Sequence, residues 1–329
     1  MDRDGARAFV YAKACGALGK SFTGEKADRL FEQKTLTDLW TLLFRTQAPM
    51  VPEVILAQKI EEESFNRFIS QYVSFIAQFD NPESYLSDQF FIYEVENLKT
   101  VIDALCSGQQ KLPKLLELGK YGTLHFDQWP NLENITAGTE YSWIKEVPDI
   151  HKQQEVEFRL DIQAIKHLWA SIQSIKGEEG QAVKELFQEE LVIQNIVWAL
   201  RLKLNYDMNR DDVISHLMYV TEKPGPHDPL CVQAMKVLDK DPENYSDWEN
   251  WSFSEYVNPK NDVLWRIDPS WIENKSRQVQ NKKASRLFHC YPVTSASLIG
   301  WFKMKQAELG YIRMAVEGLR LNQKSLLEY

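Results

Sequence analysis

One helical phrase occurs three times along this chain, and that repetition limits what it can fold into. The phrases are Phe91–Gly108 (FIYEVENLKTVIDALCSG), Glu189–Asn205 (EELVIQNIVWALRLKLN) and Lys303–Asn322 (KMKQAELGYIRMAVEGLRLN). Each passes from a polar turn through Asn-Leu-Lys, Asn-Ile-Val or Tyr-Ile-Arg into an apolar helix that runs toward a Gly or Asn. Aligned on Asn97, Asn195 and Tyr311, they stand 98 and 116 residues apart. That spacing is long for a solenoid, whose repeats run about 20–50 residues. It predicts three helical units, at 1–110, 111–222 and 223–329, fused into a shaped body.

The pattern between the phrases is helical almost throughout. Ala6–Leu18 is Ala-rich, a composition that favours helix. Thr35 and Asp38 can open a second helix, with Leu39, Leu42 and Leu43 on one face and Pro49 and Pro52 beyond it. A long helical pattern follows from Pro52 to Phe79, and Asn81-Pro82 punctuates it. In the first phrase, Phe91, Val95, Leu98, Ile102 and Leu105 form one stripe, and Gly108 stands where a left-handed cap belongs. The second phrase carries Ile193, Val197, Leu200 and Leu204, widened by Val192, Ile196 and Ala199, so it expects neighbours on two sides. A helix or two is expected over Ile150–Lys176, and a long one after Gln181. Pro224-Gly-Pro226 and Asp228-Pro229 mark a boundary, whereas Trp248–Trp271 gives no legible pattern. Strand signals are scarce, so the fold class is all-α.

Charge and cysteine usage narrow the function classes. A net charge of −9 argues against general nucleic-acid binding, which needs surplus Lys and Arg along a phosphate backbone. Nothing in the sequence reads as a membrane span. The start MDRDGARAF lacks an apolar core, so no signal peptide is expected. Cys15, Cys106, Cys231 and Cys290 lie at least 59 residues apart and suit reduced thiols of a cytoplasmic protein.

Four motifs bear on chemistry. Ala14–Ser21 (ACGALGKS) satisfies a permissive phosphate-binding loop, but that loop needs a preceding strand, and here an Ala-rich helix precedes it. A helix ending at Gly19 with a turn through Lys20 is the plainer expectation. Asp239-Lys-Asp241-Pro-Glu243 has acidic spacing but lacks the Gly and closing Glu of a calcium loop. The six histidines show no zinc spacing, and no G-x-S-x-G elbow is present. No catalytic, cofactor or metal site is expected. Asn97 and Asn195 invite either a bond to a neighbouring element or contact with a partner. Lys99, Arg201 and Arg313 recur near one place on the phrases, either lining one surface or lying over apolar neighbours.

The run Pro292–Arg313, with Pro292, Trp301, Lys305, Glu308 and Ile312-Arg313, resembles the closing signature of the C subunit of V-type (archaeal/bacterial-type) ATPases and ATP synthases. That family is related to the vacuolar d subunit. Asn195-Ile196, Leu200-Arg201 and Lys203 resemble its second signature helix, and Glu96-Asn97-Leu98-Lys99 its first. Thr139-Glu-Tyr141 resembles its Thr-x-Tyr, and Tyr11 its N-terminal aromatic residue. The resemblance implies three modules forming a pseudo-threefold funnel without an active site. It implies a place on the cytoplasmic face of the membrane rotor ring, as the socket for the central stalk, passing torque for proton or sodium transport. Ring and stalk subunits are the implied partners. An all-α scaffold unrelated to rotary motors, or a nucleotide-binding enzyme, would be the competing readings.

Overall fold

The 3.6-residue periodicity of the sequence reappears as helix in a computed structural model that describes residues 3–80, 82–260 and 264–321. Asn81, Asn322 and part of Trp248–Trp271 lie outside the described residues. In chain order the helices are α1 (Arg3–Gly19), α2 (Asp28–Phe31), α3 (Leu36–Phe44), α4 (Glu53–Ile76), α5 (Ser84–Ser87), α6 (Phe91–Cys106) and α7 (Leu132–Thr136). They continue as α8 (Gln153–Gln173), α9 (Gly177–Asn205), α10 (Arg210–Ser215), α11 (Val232–Leu238), α12 (Ser246–Glu249), α13 (Pro269–Cys290) and α14 (Ser295–Arg320). The described residues contain no strand, so the all-α expectation holds. Local sequence explains the ends. Thr35 caps α3 by accepting the Asp38 N–H, and Asp268 caps α13 from Ser270 with Pro269 in the first turn. Gly108 adopts a φ of 69° after α6, and Gln109 N–H closes back onto the Ala104 carbonyl, the left-handed cap expected there.

The long helices form a circuit of contacts. α6 packs on α8, α8 on α9, α9 on α13, α13 on α14, and α14 returns to pack on α4; Phe65 of α4 meets Tyr93 of α6 edge to face, with ring centroids 5.0 Å apart. The α6–α8, α9–α13 and α14–α4 junctions are antiparallel. Glu189 and Arg201, successive along α9, meet Lys283 and then Glu273, which run backward along α13. Tyr72 and Glu61, backward along α4, meet Phe302 and then Arg313 along α14.

Each of these three junctions has its own apolar core, thickened by short helices. Leu98, Val101 and Ile102 of α6 join Leu132 and Ile135 of α7 and Leu160 of α8. Ile196 and Leu200 of α9 join α10, α11 and Ile272 of α13. Ile312, Ala315 and Val316 of α14 join Leu36 and Leu39 of α3 and Ile60 of α4. Cores therefore draw residues from both sides of the sequence boundaries at 110 and 222. A fourth core fills the middle, where Phe68, Tyr72, Phe288, Trp301 and Phe302 meet from α4, α13 and α14. Tyr72 and Trp301 stack there with centroids 6.0 Å apart and planes 3° from parallel. Rings of this size remove the most water-exposed area per side chain, about 150–250 Å² each.

The tightest crossing is between α13 and α14. A Cβ on Gly300 would stand 2.7 Å from the Ala284 carbonyl oxygen and 2.9 Å from the Phe288 nitrogen, so only glycine lets the two backbones approach this closely. The described part of the unreadable Trp248–Trp271 segment packs its rings against α9. Trp248 is fully buried, its indole N–H donates to the Asp241 carbonyl at 2.7 Å, and Trp251, Tyr256 and Trp265 pack around it.

Candidate docking cleft and the signature residues

Asn97 and Asn195 are both buried, and both hold backbone. Asn195 has no solvent exposure. Its amide donates to the carbonyls of Met218 (2.7 Å) and Leu230 (3.0 Å) and accepts the Met218 N–H at 2.8 Å. Asn97 does the same for one residue, donating to the Leu116 carbonyl at 2.9 Å and accepting its N–H at 2.7 Å. Both side chains therefore clasp the segment that returns after their own helix. Tyr311 replaces Asn in the third phrase, and the comparable grip comes one turn earlier, where Glu308 accepts the Phe22 N–H at 2.6 Å. Glu94, one turn before Asn97, likewise accepts the N–H groups of Thr123 and Leu124.

The three recurring cations perform one task at three places. Lys99 of α6 pairs with Asp161 of α8 at 2.5 Å. Arg201 of α9 pairs with Glu273 of α13 at 2.5 Å, and Arg313 of α14 with Glu61 of α4 at 3.4 Å. Asp161 and Glu61 are each the ninth residue of their helix. The Arg201 pair lies one turn later on α9 and one turn earlier on α13, a shift that antiparallel neighbours share. Each pair stays in reach of water and contributes little stability, about 0–1 kcal/mol, so these contacts fix register more than strength.

The remaining signature residues make contacts within the chain. Tyr11 stacks on Phe288 at 4.9 Å, tying α1 to α13. The Thr139 hydroxyl donates to the Thr136 carbonyl at 2.8 Å and accepts the Tyr141 N–H at 3.1 Å, turning the chain so that Tyr141 is buried. Lys203 donates to the carbonyls of Leu238 and Lys240 beyond α11. Lys305 and Glu308 form an ion pair whose lysine also donates to the Ser21 hydroxyl at 3.1 Å.

The decoys resolve as plain structure. Lys20 and Ser21 N–H groups are bonded to the Ala17 and Leu18 carbonyls, so that backbone is not free to cradle a phosphate. Asp239 pairs with Arg210, and Asp241 accepts the Glu243 N–H. Among the described residues no cluster of metal-binding side chains occurs.

One surface is shaped to receive something. α9, α13 and α14 line a cleft of about 450 Å³. Trp198 lies on its wall 42% exposed, and Tyr311 faces it from α14. Burial pushes the Tyr311 phenol up, so it remains a hydrogen-bond donor at neutral pH. Both ends of the Gln280 amide, and the Asn281 carbonyl oxygen, are buried there without hydrogen-bond partners. Stranded amides carry a desolvation cost that a docked partner would relieve. Arg201–Glu273, Arg277–Glu273 (2.7 Å) and Lys303–Glu190 (2.7 Å) cross the cleft wall. An aromatic anchor, unpaired amides and rearrangeable ion pairs suit a protein surface better than a small substrate.

Residues 11–328 match the family of the ATP synthase (C/AC39) subunit. The chain belongs to that family. Members are structural subunits of V-type ATPases and ATP synthases, associated with other subunits of the complex, and are not the catalytic ones. A relative from Treponema pallidum (strain Nichols), described only as an uncharacterized protein, is 26% identical over 309 residues, spanning 94% of this chain and 91% of its own. No helix among the described residues of this C/AC39 subunit is long and apolar enough to cross a membrane. The clasps and inter-helix ion pairs were signalled in the sequence by recurrence. The cleft residues Gln280 and Asn281 were missed, because they sit on α13, outside every repeated phrase.

Proposed function

We propose that this C/AC39 subunit is the non-catalytic coupling body between the central stalk and the membrane rotor ring. It would work as a rotor part on the cytoplasmic face of the membrane, passing torque during proton or sodium transport. The observation that carries this reading is the circuit of long helices with its three antiparallel junctions, each with its own core and its own cation–carboxylate pair. Torque passes without loss only through a body that resists shear, and close-packed helices locked in a cycle leave no hinge to yield. On this reading the three sequence units are arranged about a pseudo-threefold axis as a funnel. Each unit lends its second long helix to the core of the next.

The cleft between α9, α13 and α14 is the proposed stalk contact. The opposite partner, the ring, is assigned to the tips that precede the first long helix of each unit. Met50 is 98% exposed before α4, Ile150 is 71% exposed before α8, and Leu264 is 93% exposed before α13. Exposed apolar residues at three matching places suit a ring of repeated subunits.

A tagged chain recovered from detergent-solubilised native membranes should bring both ring and stalk subunits. Trp198→Ala together with Tyr311→Ala should lose the stalk and keep the ring, and Met50→Asp with Ile150→Asp should do the reverse. Recovery of soluble partners alone would favour the unrelated all-α adaptor and end this reading.

A further inference from the structure

A second pocket, of about 290 Å³, opens where the end of α1, the end of α3, the middle of α4 and α14 meet. Its charge runs against the chain as a whole, which carries −9. Lys20, Arg45, Arg67 and Lys305 line it, opposed by Glu308 alone. Glu308 is already spent, with one oxygen on the Phe22 N–H and the other on Lys305. Lys20 and Arg45 have no carboxylate partner among the described residues. Arg67 gives only its Nε to Glu63, at 2.9 Å, and its guanidinium lies 4.5 Å from the Phe44 ring centroid, leaving the terminal N–H groups uncommitted.

Two further features point to a ligand. Ser64 of α4 lines the pocket, is 8% exposed, and its hydroxyl is buried with no hydrogen-bond partner. Arg45 ends α3 at a φ of 55°, where glycine or asparagine is the usual occupant. A left-handed arginine in a capping position stores backbone strain, and such strain clusters at functional sites. Cations at the ends of α1 and α3 also complement those helices' dipoles, which accounts for Lys20 and Arg45 by itself. It does not account for the stranded Ser64 hydroxyl, nor for a guanidinium held against Phe44 with its outer donors free.

We propose that this pocket binds a phosphate-type oxyanion, taken up by Lys20, Arg45 and Arg67 with Ser64 as a further donor. Planar guanidinium groups match the oxygens of a phosphate in pairs, and a dianion satisfies the two uncommitted positive charges. Half-buried Leu42 and Leu43 in the lining offer apolar surface to an organic group, so the phosphate can be free or the head of a lipid. This site does not depend on the P-loop reading, whose backbone donors are occupied.

Isothermal titration of the purified chain with pyrophosphate at fixed ionic strength tests the proposal, alongside flotation with phosphatidylinositol-phosphate vesicles against plain phosphatidylcholine. Saturable uptake is expected, weakened about tenfold or more by Arg45→Gly and by Lys20→Ala, the usual cost of losing a charge-assisted bond. Arg45→Gly relieves the left-handed strain, so its melting temperature should stay level or rise, and lost binding then reports the missing cation. Lys34→Ala, outside the pocket, should leave affinity unchanged. Uptake of pyrophosphate alone identifies a soluble phosphate, and uptake of vesicles identifies a lipid head group, provided Arg45→Gly abolishes each. No uptake of either probe, or uptake indifferent to both pocket variants, overturns the proposal.

Discussion

Replacing Asn195 by leucine removes a clasp while keeping the side-chain volume, so the effect isolates hydrogen bonding from packing. Three backbone contacts go at once. The Met218 N–H and the Leu230 carbonyl are left with no other partner among the described residues, while the Met218 carbonyl keeps a weak bond from the Cys231 thiol at 3.3 Å. The Leu230 carbonyl belongs to a fully buried residue and costs about 1–3 kcal/mol when stranded, and the Met218 N–H, on a half-buried residue, adds a smaller share, about 2–4 kcal/mol together. Asn97→Leu strands the N–H and carbonyl of Leu116, which is only half-buried, and water can reach what the mutation frees. Its cost should be about 1–3 kcal/mol, clearly the smaller of the two. Urea denaturation followed by far-ultraviolet circular dichroism reads both variants beside the parent chain. If Asn195→Leu lowers stability by less than about 1 kcal/mol, or by less than Asn97→Leu, the clasp has been given the wrong weight.

Three more outcomes follow from the packing and the charges. Helix propensity alone makes Gly300→Ala a gain of about 1 kcal/mol, but the clash with Ala284 and Phe288 backbone should turn it into a loss of about 1–3 kcal/mol; a raised melting temperature would refute the close crossing. Asp substituted for Ile196 or Ile312, both buried mid-stripe, should cost more than about 4 kcal/mol, and unchanged melting of both variants would show that these faces are misassigned. Burial alone would push the Asp228 carboxyl up, but donors from Val220, Thr221 and Leu230 outweigh it and hold it below the usual carboxylate range. A lowered pKa means stability that is full above the unfolded value of about 4 and lost as pH falls through the folded one. The melting advantage of the parent over Asp228→Asn should therefore be constant near neutrality and shrink below about pH 4.

Much of the fold was readable because its signals are local. The stripe Val95, Leu98, Ile102 is a matter of 3.6-residue spacing, and Gly108 announces its cap within one turn. The recurrence of Lys99, Arg201 and Arg313 was visible as well, although its meaning was not, since Asp161, Glu273 and Glu61 lie far away in sequence. Long-range closure leaves no local trace. Nothing near Ile312 says that it will meet Ile60, and nothing near Gly300 says that the Ala284 carbonyl will stand over it. Trp248–Trp271 was opaque for another reason: its buried rings, Trp248, Trp251, Tyr256 and Trp265, follow neither a helical nor an alternating rhythm, so periodicity had nothing to detect. The Tyr11 signature was legible as a mark of kinship, but its work, stacking on Phe288, belongs to the tertiary structure.

The return of α14 onto α3 and α4 also sets an order of events at the ribosome. Leu36, Leu39 and Ile60 leave the exit tunnel long before Ile312, Ala315 and Val316, which cover them. That apolar face must wait, half-covered and exposed to chaperones, until α14 has emerged.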